Sequence, residues 1–442
     1  MADRPAPGLG VVDASLIVVG SIVGAGIFLV SPYVAEHVRS PAAFLATWLL
    51  GGCVALIGAL SNGELGGLFP RSGGEYVYLR EAYGPALGFL SGWMSFWIAF
   101  PGSIATLAAG FGATLAPMLG VTAAMAPVAI GAAGIVALTF VNALGLRSGK
   151  WTQNALSVTK LLAFAGLLAL GLLMPRHGVA SGLAPFFVPG DSAHGIARAL
   201  VPVLFAYSGW NAATYVSGEM RDPTRTLGRA LALGTALCVV LYLLVNVVYL
   251  RAMPLDVLVH TTEPARVAAK LLGGDATAAV LSPLVAICVL SSMQASVLVG
   301  PRIYRAMAMD GLFFGPVARL HPKTQVPLVA LVIQSAVALV ELVSGSFDQL
   351  LNFATSAIVV FSTLTVAAVA VLRYRRPDAP RAFRVPGGVL LPLAFVGVNL
   401  WVLWSVLASG ASEARIGLAI VVTGLPAYVA FRARRRSQES AR

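Results

Sequence analysis

Charged residues are scarce in this chain: Asp, Glu, Lys and Arg make up 11% of its 442 residues, against about 25% in soluble domains. Apolar residues account for 58% of the chain, and the mean hydropathy is +0.85. This composition excludes a water-soluble surface and predicts an all-α polytopic membrane protein. No hydrophilic stretch is long enough for an extra domain, and we expect no cleavable leader before the first apolar run.

Cysteine and histidine are rare and scattered. The three cysteines, Cys53, Cys238 and Cys288, lie in apolar runs, and the five histidines fall in loops or at segment ends. Neither residue type shows the spacing of a metal site or of a disulfide framework. We therefore expect no metal and no cofactor, and we interpret the cysteines as small buried apolar residues.

Several functional motifs are also missing. The chain has no Walker motif and no soluble domain, which excludes an ATP-driven pump. The apolar segments hold almost no titratable residue, which argues against a membrane-embedded enzyme. The sequence also lacks the repeated filter motif that would indicate a channel pore.

Apolar segments dominate what is there. A membrane helix needs about 20 mainly apolar residues, and Pro and Gly cluster between the segments that meet this length. We predict twelve spans, at residues 11–36, 41–67, 85–115, 122–144, 152–174, 196–219, 228–252, 277–307, 327–344, 350–373, 389–409 and 415–432.

The distribution of Lys and Arg orients these spans. If the N-terminus is cytoplasmic, 22 of the 30 basic residues fall inside, 7 fall outside, and Lys160 lies within a span. The positive-inside rule then places both termini in the cytoplasm. The basic C-terminal run "RARRRSQESAR" is interpreted as an anchor near anionic lipid headgroups rather than as a nucleic-acid site.

Two spans carry glycine-containing interruptions at comparable places. "GSIVGAGIF" (20–28) lies in span one, and "FAYSGWN" (205–211) lies in span six. Alone, the first pattern is more typical of close helix packing. Paired breaks at corresponding positions of two halves favour instead a transporter binding site formed by an inverted repeat.

The chemistry of such breaks suits a zwitterion. Unwinding frees N–H groups of Gly24, Ala25 and Gly26 at the start of an outer half-helix, where an anion is favoured. The carbonyl ends of the inner half-helices favour a cation. We predict that a carboxylate binds the N–H groups and that an ammonium group binds carbonyls at four positions: Ser21, Ile22, Phe205 and Ser208.

Lys160 is the ninth residue of the predicted span 152–174. A lysine near mid-membrane costs at least ~2.5 kcal/mol on insertion scales, so it predicts a functional role. The alternative is that its side chain snorkels to the interface. Nine residues correspond to roughly 13 Å of helix, near the limit of that reach.

Three stretches carry a resemblance to a known family: "GSIVGAGIF", "GELGGLFPRSGGEYVYLREAYGPALGFLSGW" (63–93) and "FAYSGWNAATYVSGEMRDPTRTL" (205–227). The chain resembles the amino acid–polyamine–organocation superfamily, especially its L-amino acid transporter branch and bacterial relatives. The resemblance implies the LeuT-type fold, with one transport domain over 1–442. In that fold the inverted repeats cover 11–174 and 196–373, and two trailing helices cover 389–432.

The resemblance also assigns site residues. Gly24, Ala25 and Gly26 match the family's carboxylate-binding "GSG", with Ala25 where relatives often have Ser. Phe205 matches the aromatic gate, and Asn211 stands where a dication-selective branch has Glu. Lys160 stands where sodium-coupled members hold a sodium ion, so that its ammonium group replaces the cation. Further matches are Tyr242 on helix 7 and, as candidate partners of Lys160 on helix 8, Ser291, Ser292 and Ser296.

The predicted function is secondary transport of amino acids by alternating access. A permanently protonated Lys160 implies sodium-independent exchange, whereas a Lys160 that releases its proton implies proton-coupled symport; we favour exchange. Cationic amino acid or polyamine antiport and a channel are less favoured functions. Because we expect no acidic residue near the breaks, neutral L-amino acids are the favoured substrates, with Ile98, Pro101, Gln294 and Asn352 as further pocket residues.

The expected partners are the amino acid substrate and membrane lipids. Animal L-amino acid transporters pair with a heavy chain through a Cys after span three, and the loop near residues 116–123 has none. We therefore expect a stand-alone transporter without a disulfide-linked subunit, taken as a monomer. We place it in the cytoplasmic (inner) membrane of a prokaryote.

Overall fold

The computed structural model describes residues 8–174, 188, 192–261, 263–345, 347–408 and 412–440. The side chains of Ala25, of residues 347–357 and of a few others lie outside this description. Within the described residues the chain is almost entirely helical. The α-helices are α1 Val11–Ile22, α2 Ala25–Leu29, α3 Ser31–His37, α4 Pro41–Leu68, α5 Glu75–Tyr83, α6 Pro85–Met94, α7 Phe100–Met118, α8 Ala126–Ala143, α9 Leu146–Leu173, α10 Ala193–Ala206, α11 Ala212–Tyr215, α12 Pro223–Ala252, α13 Leu255–Val259, α14 Pro264–Val299, α15 Pro301–Met309, α16 Leu328–Ser344, α17 Phe347–Arg375, α18 Leu390–Ala408 and α19 Ser412–Ser440.

Eight helical stretches of the described chain are long and apolar enough to cross a membrane. Three shorter apolar helices, Ala193–Ala206, Leu328–Ser344 and Leu390–Ser405, accompany them. Helices of the described chain overlap the segments predicted from the sequence, and the number of twelve spans stays a prediction. These long apolar helices indicate a multi-pass membrane protein, because a helix satisfies its own backbone hydrogen bonds in lipid.

Both glycine-containing patterns interrupt a helix. The first helix ends at Ile22, and α2 begins after Val23 and Gly24, which have extended backbone angles. The second interrupted helix, α10, ends at Ala206, and the chain becomes helical again at α11. Gly209 in that gap has φ +99, and a Cβ there would lie 2.7 Å from the Cβ of Ser21. Glycine is therefore required at this position both by the backbone angle and by the contact between the two breaks.

An aromatic cluster packs behind the breaks. The ring of Trp48 on α4 lies 5.6 Å from that of Tyr242 and 6.0 Å from that of Tyr207. All three rings are buried. Such edge-to-face arrangements add to the apolar burial that holds α4, α10 and α12 together.

The start of the chain is tied to its middle by backbone hydrogen bonds. The Leu9 N–H donates to the Glu219 carbonyl at 3.1 Å, and the Arg221 N–H donates to the Leu9 carbonyl at 2.9 Å. This short parallel pairing joins the segment before α1 to the segment after α11.

Ion pairs connect the loops and helix ends around that pairing. Glu64 binds Arg373 at 2.5 Å and Arg381 at 3.3 Å, and Arg302 binds Glu219 at 2.8 Å. Arg80 pairs with Asp310, and Glu81 pairs with Arg71 and Arg376. Most of the charged groups near the ends of spans two and six thus have ion-pair partners, mainly on other elements, whereas Glu75 has none among the described residues.

Candidate functional site

A cavity lies between the two helix breaks. The first break contributes Ser21, Ile22, Gly24 and Gly26 to its walls, and the second contributes Phe205, Ser208 and Asn211. These are seven of the twelve residues that the sequence analysis assigns to the substrate site, and Pro101 is not part of the cavity lining. The side chains of Ala25 and Asn352 lie outside the described part of the structure.

Gly24 and Gly26 allow other elements to approach the first break closely. A Cβ at Gly24 would lie 2.5 Å from the hydroxyl oxygen of Ser292 on α14. A Cβ at Gly26 would lie 2.5 Å from the Cα of Ala206 at the end of α10. The two glycines therefore allow close packing, which is the alternative interpretation of "GSIVGAGIF". Both glycines also line the cavity, as a binding site would require.

Lys160 lies at the carbonyl end of α1, next to the first break, and is fully buried. Its Nζ donates to the carbonyl of Gly20 at 3.0 Å, to the carbonyl of Val23, and to the Ser292 hydroxyl at 3.1 Å. The Ser292 oxygen lies 2.8 Å from each of the same two carbonyls. An ammonium group and a hydroxyl thus satisfy the carbonyl end that the break of α1 leaves open. This burial excludes snorkelling of Lys160 to the interface.

Tyr242 on α12 bridges the two breaks. Its hydroxyl lies 2.7 Å from the Ile22 carbonyl and 3.1 Å from the Ala206 carbonyl. Both acceptors are the last residues of the half-helices α1 and α10. One side chain therefore links the carbonyl ends of both interrupted helices.

Three predicted residues lie away from the cavity. Ser291 is buried next to Ser292, but its hydroxyl has no hydrogen-bond partner among the described residues. Ile98 is buried in an apolar cluster with Leu79, Met94 and Phe361. Gln294 bonds the Asn142 side chain at 2.8 Å and the Gly149 carbonyl at 3.2 Å, which joins α14 to α8 and α9. Ile98 and Gln294 thus pack outside the cavity lining in this structure, and their contribution to substrate binding stays a prediction.

The helix that carries Ile98 is irregular around this residue. Residues Ser95–Ala99 form a π-helical segment between α6 and α7. A π-bulge inserts an extra residue per turn and rotates the face that follows. The cavity side of this helix carries Ser95, Ala99 and Ser103, whereas Ile98 packs in the apolar cluster.

The expectation of no acidic residue near the breaks is also wrong. Glu75, the first residue of α5, lines the cavity and is only 6% exposed. Its Oε1 accepts a hydrogen bond of 2.9 Å from Asn211 on the second break. The position of Glu75 after a glycine pair in "SGGEY" does not indicate that it lines the cavity. The tertiary fold determines where a residue that follows a loop lies.

Further cavity residues come from α17, the span of the predicted pocket residue Asn352, and from α18, to which the sequence alone assigns little role. These are Ser362 on α17 and Phe395 and Asn399 on α18. Trp210 also lines the cavity and packs edge-on against Phe395, with 6.1 Å between ring centroids. A polar Asn399 inside the apolar run "VGVNLWVLW" is a signal that could have indicated a functional wall.

The comparison with known proteins decides the family. A family model described as amino acid permease matches residues 9–425. The chain belongs to the amino acid permease family. It is an amino acid transporter of the amino acid–polyamine–organocation superfamily, and not an enzyme.

Relatives of the permease include exchangers. It is 28% identical over 432 residues to the serine/threonine exchanger of Bacillus subtilis, covering 97% of this chain and 98% of that protein. It is 31% identical over 431 residues to the human large neutral amino acids transporter small subunit 2, covering 95% of this chain and 79% of that protein. It is 30% identical over 422 residues to the human cystine/glutamate transporter, covering 94% and 83%.

Replacing Tyr242 by phenylalanine is expected to slow amino acid uptake by the permease about tenfold. The change removes the hydroxyl that links the two breaks, and a neutral hydrogen bond contributes about 0.5–1.5 kcal/mol. Uptake of labelled amino acid into proteoliposomes measures the effect. Tyr249→Phe is the matched control, because Tyr249 is buried on the same helix and its hydroxyl is 3.4 Å from the Ile27 carbonyl. Equal uptake by the two variants would contradict a specific role for Tyr242.

Proposed function

We propose that this permease exchanges neutral L-amino acids by alternating access, without sodium. The observation that carries the proposal is the cavity between two interrupted helices, with the buried ammonium group of Lys160 at the carbonyl end of the first. Paired interrupted helices around one site are a feature of transporters built from inverted repeats. The proposal includes twelve spans in a LeuT-type arrangement with repeats at 11–174 and 196–373, and both termini in the cytoplasm.

The proposed site binds the two charged groups common to all amino acids. The substrate carboxylate accepts hydrogen bonds from N–H groups of Gly24, Ala25 and Gly26 at the start of α2, where the helix dipole favours an anion. The substrate ammonium group binds carbonyls of Ser21, Ile22, Phe205 or Ser208. The Phe205 ring, buried at the cavity wall, closes over the bound substrate.

Lys160 takes the place of a bound cation in this proposal. Carbonyl and hydroxyl oxygens are the groups that hold sodium at an unwound helix, and here Lys160 Nζ has three such partners. A fixed positive charge at that position removes the need for a sodium gradient. Exchange is then the favoured mechanism, with proton-coupled symport as the second candidate.

Neutral substrates are supported by the relatives and by the cavity. Two of the relatives have names that specify large neutral amino acids and serine/threonine. The side chains Leu107, Leu204 and Val359 contribute apolar surface to the cavity. The buried Glu75 is compatible with a neutral substrate only when its charge is neutralised, because enclosing an uncompensated carboxylate is costly.

We further propose that the permease works as a single chain in a prokaryotic cytoplasmic membrane. Its alignment with the Bacillus subtilis exchanger covers nearly the whole of both proteins. The loop near residues 116–123, where animal relatives would carry a linking cysteine, contains none.

Flux measurements test this function. Purified permease in proteoliposomes is expected to take up labelled amino acid only when unlabelled amino acid is present inside. Competition by all twenty amino acids and by agmatine is expected to be strongest for neutral L-amino acids. Strong uptake by empty vesicles under an imposed pH gradient would establish symport instead, and conductance without amino acid flux would indicate a channel.

A further inference from the structure

Glu75 is a cavity carboxylate that the proposed exchange mechanism does not use. It begins α5, between the helices Pro41–Leu68 and Pro85–Met94, and is therefore outside the membrane-spanning helices. Its side chain is nevertheless 6% exposed and forms part of the cavity wall. A charged group that is buried without an opposite charge is costly, so the partners of Glu75 decide its state.

The surroundings of Glu75 offer one hydrogen bond and no cation among the described residues. Oε1 accepts from Asn211 Nδ2 at 2.9 Å, and Oε2 accepts no hydrogen bond from the described residues. Asn211 Nδ2 is also 2.8 Å from the Tyr215 hydroxyl. Within the described ranges, Glu75 forms no ion pair, and its carboxylate acts electrostatically on the hydroxyl groups of Tyr78 and Tyr215.

Charged groups on the neighbouring elements are engaged elsewhere. No charged residue lies on α6, and α11 contributes only Tyr215. Among the described side chains, the other charged groups of α5, α15 and α17 have their own partners: Arg80 with Asp310, Glu81 with Arg71 and Arg376, Arg302 with Glu219, Arg305 with the Ala318 carbonyl, Arg373 with Glu64, and Arg375 with the Ala82 carbonyl. None of these groups compensates the Glu75 carboxylate.

A proton is the cation that remains for this carboxylate. Burial raises the pKa of Glu75 from 4.5 to about 7, although the hydrogen bond from Asn211 lowers it. Asn211 belongs to the second break, whereas Glu75 belongs to α5, so the hydrogen bond connects an interrupted helix to a neighbouring element. A change in the protonation of Glu75 therefore changes a hydrogen bond made by the second break.

We propose that Glu75 is a proton-binding site of the transport cavity and that a neutral amino acid is carried only when this carboxylate is protonated. The inference rests on the function proposed above. The proton passes from cavity water to a carboxylate oxygen while the cavity is open, and no other bond changes. Closure then encloses a neutral side chain next to Asn211, and the proton returns to water when the carboxylate becomes hydrated.

The pH profile of exchange tests the proposal. Wild-type exchange of a neutral amino acid is expected to be about fivefold slower at pH 8 than at pH 7, because a group of pKa near 7 falls from half to roughly one-tenth protonated. Glu75→Gln, which resembles the protonated acid, is expected to exchange at comparable rates at pH 6 and pH 8. Glu81→Gln is the matched control on the same helix and is expected to keep the wild-type profile.

A wild-type pH profile in Glu75→Gln would overturn the proton site. Selective loss of cationic amino acid exchange in that variant, with the neutral profile unchanged, would also overturn it and would make Glu75 a receptor for substrate side chains. Absence of amino acid exchange by the wild-type protein at every pH would refute the proposed function instead, and a second measurement then decides on the proton site.

Thermal unfolding in detergent is that second measurement, and it does not depend on transport. The raised pKa of Glu75 means that the folded protein keeps a proton that the unfolded chain has released. The wild type therefore loses stability relative to Glu75→Gln as pH rises from about 4.5 to about 7. A difference in melting temperature that does not change over this range would overturn the proposal.

Discussion

Lys160→Ala is expected to slow amino acid exchange by roughly tenfold to a hundredfold. The ammonium group binds the carbonyls of Gly20 and Val23 together with the Ser292 hydroxyl, and these bonds hold the end of α1 at the break. A hydrogen bond to a charged group contributes about 1.5–3 kcal/mol, and each 1.4 kcal/mol corresponds to about tenfold. Exchange rates and substrate affinity in proteoliposomes measure the loss.

Two comparisons sharpen the Lys160 experiment. Lys150→Ala changes a lysine on the same helix whose partner is Asp13 at 3.0 Å, away from the break, and is expected to have a small effect. Adding sodium to Lys160→Ala is expected to restore part of the exchange, because the vacated oxygens suit that ion. Unchanged affinity and exchange in Lys160→Ala would defeat the role of Lys160 as a cation replacement.

Gly26→Ala is expected to reduce exchange more than tenfold. The added Cβ would lie 2.5 Å from the Cα and 2.7 Å from the Cβ of Ala206, so α2 and α10 must separate. Backbone atoms cannot rotate away as a flexible side chain can, and overpacking typically costs about 1–3 kcal/mol. The separation also displaces the N–H groups proposed to bind the substrate carboxylate.

The control for Gly26→Ala is Gly166→Ala. A Cβ at Gly166, on α9, would have no atom within 4 Å, so the same substitution is made in open space. Size-exclusion profiles and melting temperatures in detergent separate a misfolded variant from a folded but inactive one. If Gly26→Ala unfolds, Gly24→Ala provides a second variant, whose added Cβ would meet the side chain of Ser292, at 2.5 Å from the hydroxyl oxygen and 2.7 Å from the Cβ, rather than backbone. Wild-type exchange by Gly26→Ala would contradict the proposed carboxylate site.

Features encoded by local sequence were predictable in this permease. Helix-length apolar runs indicate a multi-pass membrane protein, since a span must bury its backbone groups itself. The breaks were visible because Gly24, Gly26 and Gly209 interrupt runs that are otherwise strongly helical. Lys160 stood out because an isolated lysine in an apolar span is costly unless it has partners.

Features that depend on tertiary contacts were not predictable. A regular helix of 3.6 residues per turn does not anticipate the π-helical segment Ser95–Ala99, in which Ile98 packs into an apolar cluster. Gln294 was predicted as a further pocket residue. Its hydrogen-bond partner Asn142 lies on α8, and only the fold brings the two side chains together. Glu75 begins α5 directly after a loop, and sequence position alone does not show which cavity such a residue enters.

The backbone pairing of Leu9 with Glu219 and Arg221 has a consequence for biosynthesis. The segment before α1 is made first, yet its partners follow only after α11. At about 5–20 residues per second, this pairing waits on the order of ten seconds or more for the second half of the chain. During that interval Lys160 has already been made, but Ser292 has not. The contacts of the first break are therefore incomplete until α14, which carries Ser292, has been synthesised.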